Sequence, residues 1–107
     1  MTDALFVLTT VADRGAGTAL AQVLLERRLA ACVTVGAPVE SLYHWHGRIE
    51  TATEVPLTIK TRAALYPKVE AAIRELHDYE VPEIVAVPIT HGHAPYIGWL
   101  ADETTPR

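Results

Sequence analysis

Apolar and polar positions alternate along this chain with two distinct periods, and the changes of period mark its elements. Ala4 to Val11 is an unbroken apolar and β-branched run that reads as a buried strand. Asp13 can cap the helix that follows, whose stripe over Thr18 to Ala30 is built from Leu20, Leu24, Ala21, Leu25 and Leu29. Ala31 to Val35 opens a second strand, Gly36-Ala37-Pro38 bends or bulges it, and it resumes from Val39 to Trp45. His46-Gly47 supplies a two-residue turn, with glycine where a positive φ is most needed. The chain returns from Arg48 towards Thr61, and Pro56 within that run requires a gap, an edge or a bulge opposite its missing N–H.

Tyr66-Pro67 starts a second helix with proline in its tolerated first turn, and Val69, Ala72, Ile73 and Leu76 form its apolar stripe. A polar link, His77 to Glu83, leads into an apolar strand over Ile84 to Ile89. A last helix spans about Ala94 to Asp102, leaving Thr104 to Arg107 as a tail with nothing to bury it. The order β-α-β-β-α-β plus a terminal helix predicts a ferredoxin-like α+β sandwich: an antiparallel sheet with two helices on one face and a long hairpin between its second and third strands. The other face must be polar or meet a partner.

Strand length sharpens that expectation. A domain of this size has a radius of gyration of roughly 13 Å and a diameter of about 34 Å. A dozen residues of return strand at ~3.3 Å each span about 40 Å, so the tip of the hairpin projects beyond its own core. It carries Tyr43 and Trp45 on one face, and covering them in a symmetric self-assembly through residues 41–50 is favoured over folding them back onto the last helix.

Composition narrows the classes. The 107 residues predict one domain, 1–107, with half its residues hydrophobic and enough surface buried to need no staples. A net charge of -4 leaves no basic stripe for nucleic acid, and no apolar run is long enough to span a membrane. The N-terminus shows no basic segment or cleavage site, and the single Cys32 cannot form an internal disulfide, so a cytoplasmic location is expected. Cys32 lies in an apolar strand start and reads as a small buried hydrophobe. Gly15-Ala16-Gly17 precedes a helix but lacks the rest of a phosphate-binding fingerprint.

Four segments occur in one order: Leu29-Ala30-Ala31-Cys32-Val33, Tyr43-His44-Trp45-His46-Gly47-Arg48-Ile49-Glu50, Ile59-Lys60-Thr61 and Tyr79-Glu80-Val81-Pro82-Glu83-Ile84. Together they resemble the CutA family of divalent-cation tolerance proteins, over essentially Leu5 to Leu100. The resemblance implies a homotrimer of ferredoxin-like protomers, similar in architecture to the PII signalling proteins. It also implies a cytoplasmic, non-enzymatic role in tolerance of copper and other divalent metals. Members proposed to hold metal can carry a cysteine where this chain has Thr9, and paired histidines where it has Leu76 before His77. An aliphatic residue is common where Pro56 stands.

Candidate chemistry follows. His77, Asp78, Glu80 and Glu83 cluster between a helix end and a strand start, and imidazole with carboxylate suits Cu(II) or another loosely held divalent cation. His77, Glu80 and Glu83 are the candidate ligands, although His77 equally suits a helix C-terminus for its charge alone. An acid–base pair of His77 and Glu83 ranks last. His44, His46, His91 and His93 read as solvated histidines open to adventitious metal. Tyr43, Trp45, Lys60, Tyr79 and Trp99, with Glu83, are candidates for a cleft between subunits, where a small ligand or simply a subunit contact would be accommodated. A PII-like small-molecule sensor or adaptor is the alternative function.

Overall fold

A computed structural model describes residues 2–105. The elements are β1 (Ala4–Val11), α1 (Arg14–Glu26), β2 (Cys32–Val35), β3 (Val39–Trp45), β4 (Arg48–Arg62), a 3-10 turn (Ala63–Leu65), α2 (Tyr66–Leu76), β5 (Val85–Pro88) and α3 (Ala94–Glu103). The strands lie in the order β2-β4-β1-β5, every pair antiparallel, and β3 continues on the outer half of β4. Taking β2 and β3 as one interrupted strand, this is the ferredoxin-like order, with α3 as the added helix.

Period-two alternation explains the core. Val7 and Val11 of β1 and Val55, Leu57 and Ile59 of β4 point to one face, where Leu20 and Leu24 of α1 and Val69, Ala72 and Ile73 of α2 close over them. Most of these residues are fully buried, and the helical stripes read from the sequence are the ones that face the sheet. Leu25, expected in the α1 stripe, and Leu76, expected in the α2 stripe, lie exposed in the last turns of their helices.

Helix α1 starts and stops earlier than its apolar pattern. Asp13 accepts the Ala16 N–H at 2.8 Å, so the helix begins at Arg14. At the other end Arg28 adopts φ 56°, the Arg28 N–H bonds the Leu25 carbonyl at 3.0 Å, and the Leu29 N–H bonds the Leu24 carbonyl at 2.9 Å. That is a Schellman stop with arginine at the left-handed position. Leu29 extended the helical periodicity because it packs as the hydrophobic closure of that motif, outside the helix itself.

The interruption after β2 is a bulge. Val35 pairs with Leu57 and Val39 with Glu54, so four steps along one strand answer three along the other. Gly36 N–H donates to the Pro56 carbonyl at 2.9 Å, and a Cβ on Gly36 would sit 2.9 Å from Pro56 Cγ. Pro56 cannot return a hydrogen bond, and the Arg14 guanidinium reaches the Gly36 carbonyl instead, at 3.4 Å. At the tip both turn residues take positive φ, His46 at 50° and Gly47 at 76°, as a twist-matched two-residue hairpin requires.

The hairpin projects as the strand arithmetic demands. The molecule measures 45 × 26 × 24 Å with a radius of gyration of 14.4 Å, above the roughly 13 Å of a compact chain this long. The sheet face away from α1 and α2 is apolar: Phe6 pairs with Val87, Leu8 with Val85, and Phe6, Val85 and Val87 are 37–48% exposed. Part of it is capped by α3, where Arg62 donates from Nε to Thr104 Oγ1 at 2.8 Å and from Nη2 to the Thr104 carbonyl at 2.9 Å. Thr104 is therefore buried, which corrects the expectation of an unburied tail from that residue onward; residues 106–107 lie outside the described region. No helix among the described residues is long and apolar enough to cross a membrane.

Candidate functional site

The root of the arm and the segment after α2 enclose a groove of about 690 Å³ on the open face of the sheet. One wall is β3, with Ser41, Tyr43 and Trp45. The other is the segment Tyr79 to Glu83, and the floor carries Thr10 and Glu54. Alternation sets this arrangement. Ser41, Tyr43 and Trp45 share a face of β3, and the register places it alongside the even-numbered residues of β4, Glu54 among them.

Glu54 is only 8% exposed and sits at the centre of a hydrogen-bond network. Its Oε2 accepts the Tyr79 hydroxyl at 2.8 Å and the Thr10 hydroxyl at 3.2 Å. Tyr79 N–H donates to His77 Nδ1 at 3.0 Å, and His77 Nε2 lies 2.6 Å from the Thr10 carbonyl. The ring closes on itself: Thr10 to Glu54 to Tyr79 to His77 and back to Thr10. Both ring nitrogens of His77 are thus engaged, Nδ1 with the Tyr79 N–H and Nε2 with the Thr10 carbonyl. The rings of His77 and Tyr79 also touch, tilted by 58° with centres 4.5 Å apart.

Electrostatics follow from these contacts. Burial acts to raise Glu54, but hydrogen bonds from Ser41, Tyr79 and Thr10, with the field of His77, outweigh it and hold the carboxyl below its ordinary 4.5. Tyr79 moves the other way. Burial, its bond to Glu54 and the nearby negative charge push the phenol up to about 12, so it stays a donor.

The structure sorts the residues expected from sequence. Tyr43, Trp45, Tyr79, Glu80 and Glu83 line the groove. His77 and Asp78 instead line a small recess with Val11, Ala16 and Leu20. Lys60 lies on the open sheet face, with Nζ 2.6 Å from Thr34 Oγ1 and 3.6 Å from Cys32 Sγ, and Trp99 stacks on Tyr96 within α3 at 5.6 Å. Neither lines the groove of a single chain. Among the described residues, no group of three or more His, Cys, Asp or Glu side chains is placed to hold a metal ion. His77 has both ring nitrogens in hydrogen bonds, to the Thr10 carbonyl and the Tyr79 N–H. Thr9 faces the core under the helices, 1% exposed, and its hydroxyl has no hydrogen-bond partner among the described residues.

Sequence reading did not single out Thr10, Ser41 or Glu54. The available signal was faint: an acidic residue beside the apolar run Val55 to Ile59, with no basic residue near it in β4 to balance it. Its partners lie 44 and 25 residues away, and only the fold brings them to it.

Known proteins resemble this chain over most of its length. The family model described as CutA1 divalent ion tolerance protein matches residues 5–103. The Divalent-cation tolerance protein CutA of Thermus thermophilus is 40% identical over 98 residues, covering 92% of this chain and 95% of that protein. Protein CutA, chloroplastic, of Arabidopsis thaliana is also 40% identical over 98 residues, which make up 92% of this chain but 54% of the plant protein. The chain thus spans about half the length of the plant relative and nearly all of the bacterial one. Among solved structures, the Periplasmic divalent cation tolerance protein CutA from Archaeoglobus fulgidus superposes with a TM-score of 0.93 at 32% identity, covering 95% of this chain and 99% of that one.

Proposed function

This chain belongs to the CutA1 divalent ion tolerance family, and from that premise we propose a non-enzymatic, self-associating protein of the divalent-cation response. It assembles as a homotrimer through the arm at residues 41–50. The observation that carries the assembly is the uncovered apolar surface. Trp45 and Tyr43 on the arm, and Phe6, Val85 and Val87 on the open sheet face, are 37–48% exposed in one chain. Large contiguous apolar faces of this kind are covered in stable proteins. Sedimentation equilibrium of the wild type and Trp45→Ala tests it: a trimer that weakens in the variant is expected, and a wild-type monomer at micromolar concentration would sink the reading.

The cation, copper(II) or another divalent ion, is held loosely. Glu80 and Glu83 on the groove rim carry the contact, because the lone pair of His77 Nδ1 is taken by the Tyr79 N–H. Calorimetry with Cu(II) should then show weak binding that Glu80→Gln/Glu83→Gln reduces and His77→Ala leaves unchanged. The reverse pattern restores His77 as a ligand. The free thiol of Cys32 favours the cytoplasm, whereas the name of the Archaeoglobus protein says periplasmic, and fractionation of the native host decides.

A second reading, a PII-like small-molecule sensor or adaptor, is favoured by the groove itself. Its volume of about 690 Å³ falls in the range of small-ligand sites. A thermal-shift screen with nucleotides and central metabolites addresses it, and no stabilisation by any compound would count against it.

A further inference from the structure

Two apolar patches lie on one side of the sheet. Tyr43 and Trp45 form one on the arm, and Phe6, Val85 and Val87 form the other on the open face. Both stand beside even-numbered residues of β4: Tyr43 pairs with Glu50 and Trp45 with Arg48, while Phe6 pairs with Lys60. Because β4 runs through both regions as one strand, their side chains point the same way and cannot cover each other within a chain. The arm of one copy laid on the open face of the next covers both at once. Such a head-to-tail contact repeats around a closed ring.

The charges fit the same contact. Lys60 stands between Phe6 and Cys32 on the apolar face, half-buried, with Nζ 2.6 Å from Thr34 Oγ1 and 3.6 Å from Cys32 Sγ. Neither partner is a carboxylate. The ion pairs among the described residues, Arg27–Glu75, Arg28–Glu103 and Arg62–Asp3, do not include Lys60. Covering this face withdraws the ammonium group from water, which is costly without a counterion. The arm brings one. Glu50 is also outside those ion pairs, and it stands opposite Tyr43 on the face that docks. Glu40 pairs with Thr53 on the other side of the arm, and Glu54 is already engaged by the Tyr79 and Thr10 hydroxyls.

We propose that the arm docks on the open sheet face of a second copy, with Glu50 in an ion pair with the partner's Lys60. The proposal rests on the reading of the chain as self-associating through residues 41–50. It names the surface that receives the arm and the charge pair that sets the register. That register also brings Tyr43 to the partner's Phe6, because each aromatic is the cross-strand neighbour of one charge.

Glu50 and Lys60 lie ten residues apart on β4, about 33 Å at ~3.3 Å per residue, so they cannot meet within one chain. Carbodiimide treatment of the wild-type protein joins a carboxylate to an amine in direct contact, and proteolysis with mass spectrometry identifies the joined peptides. A Glu50–Lys60 cross-link is expected, and it is lost in Glu50→Gln. Sedimentation equilibrium then follows the charges. Glu50→Lys and Lys60→Glu should each raise the concentration at which the assembly dissociates by about tenfold, and combining them should recover most of that loss. The wild-type cross-link needs no variant to fold. An assembled wild type without the cross-link, or losses that simply add in the combined variant, overturns the ion pair and leaves self-association standing. A wild-type monomer removes both.

Discussion

Removing one hydroxyl, in Tyr79→Phe, isolates the contribution of the Glu54 network. The variant keeps the ring that packs against His77 and the backbone N–H that bonds it, and loses only the 2.8 Å bond to Glu54 Oε2. A hydrogen bond to a charged group contributes about 1.5–3 kcal/mol. Tyr79 is only partly buried, and Glu54 retains Thr10 and Ser41, so the lower end, about 1.5 kcal/mol, applies. For a chain of this size that is a fall in Tm of roughly 6–12 °C, compared at equal chain concentration because assembly shifts Tm. The pH dependence has a definite sign. Glu54 is lowered in the folded state, so its contribution is present above about 4.5 and is lost as pH falls through the folded value. Against a protonated carboxyl the bond is worth about half as much, and the gap between wild type and variant should narrow on acidification. Urea unfolding followed by circular dichroism, in a pH series from 7 down towards 2, reads both effects. A cost near zero at pH 7, or one that does not shrink in acid, would refute the account of the site as a network built on an ionised Glu54.

Three further changes probe the fold around that site. Thr9→Val replaces a buried hydroxyl that has no hydrogen-bond partner among the described residues by a methyl of equal shape, and should raise stability by about 1 kcal/mol in urea unfolding. Loss of stability would mean that the hydroxyl is bonded after all. Gly36→Ala places a Cβ 2.9 Å from Pro56 Cγ and 3.2 Å from its carbonyl oxygen, and should cost about 1–3 kcal/mol; an unchanged unfolding midpoint contradicts the bulge geometry. Asp13→Ala removes the acceptor of the Ala16 N–H and should cost about 1 kcal/mol, with Asp13→Asn restoring most of it. Equal losses in both variants would point to charge, not capping, at that position.

Whatever depended on neighbours in the chain was legible without coordinates. The extent of β1, the proline start of α2 and the His46-Gly47 turn are local signals, and each stands where it was expected. So does the projecting arm, since rise per residue alone makes β4 too long for its core. The ends of α1 were misplaced because Leu29 belongs to the closing motif and not to the helix, a distinction that periodicity cannot draw. The burial of Thr104 depends on Arg62 reaching it across 42 residues. The site lies at the far end of that scale. Tyr79, Glu80 and Glu83 were recognisable as a motif, but Glu54 became central only when the hairpin register, the end of β1 at Thr10 and the segment after α2 converged on one face. Hydrogen bonds and buried charge act through space over about 3 Å, and no pattern of spacing along a strand records which distant hydroxyl will arrive at that distance. The hydrogen bonds of His77, a candidate ligand by its place among nearby carboxylates and by resemblance, were hidden for the same reason.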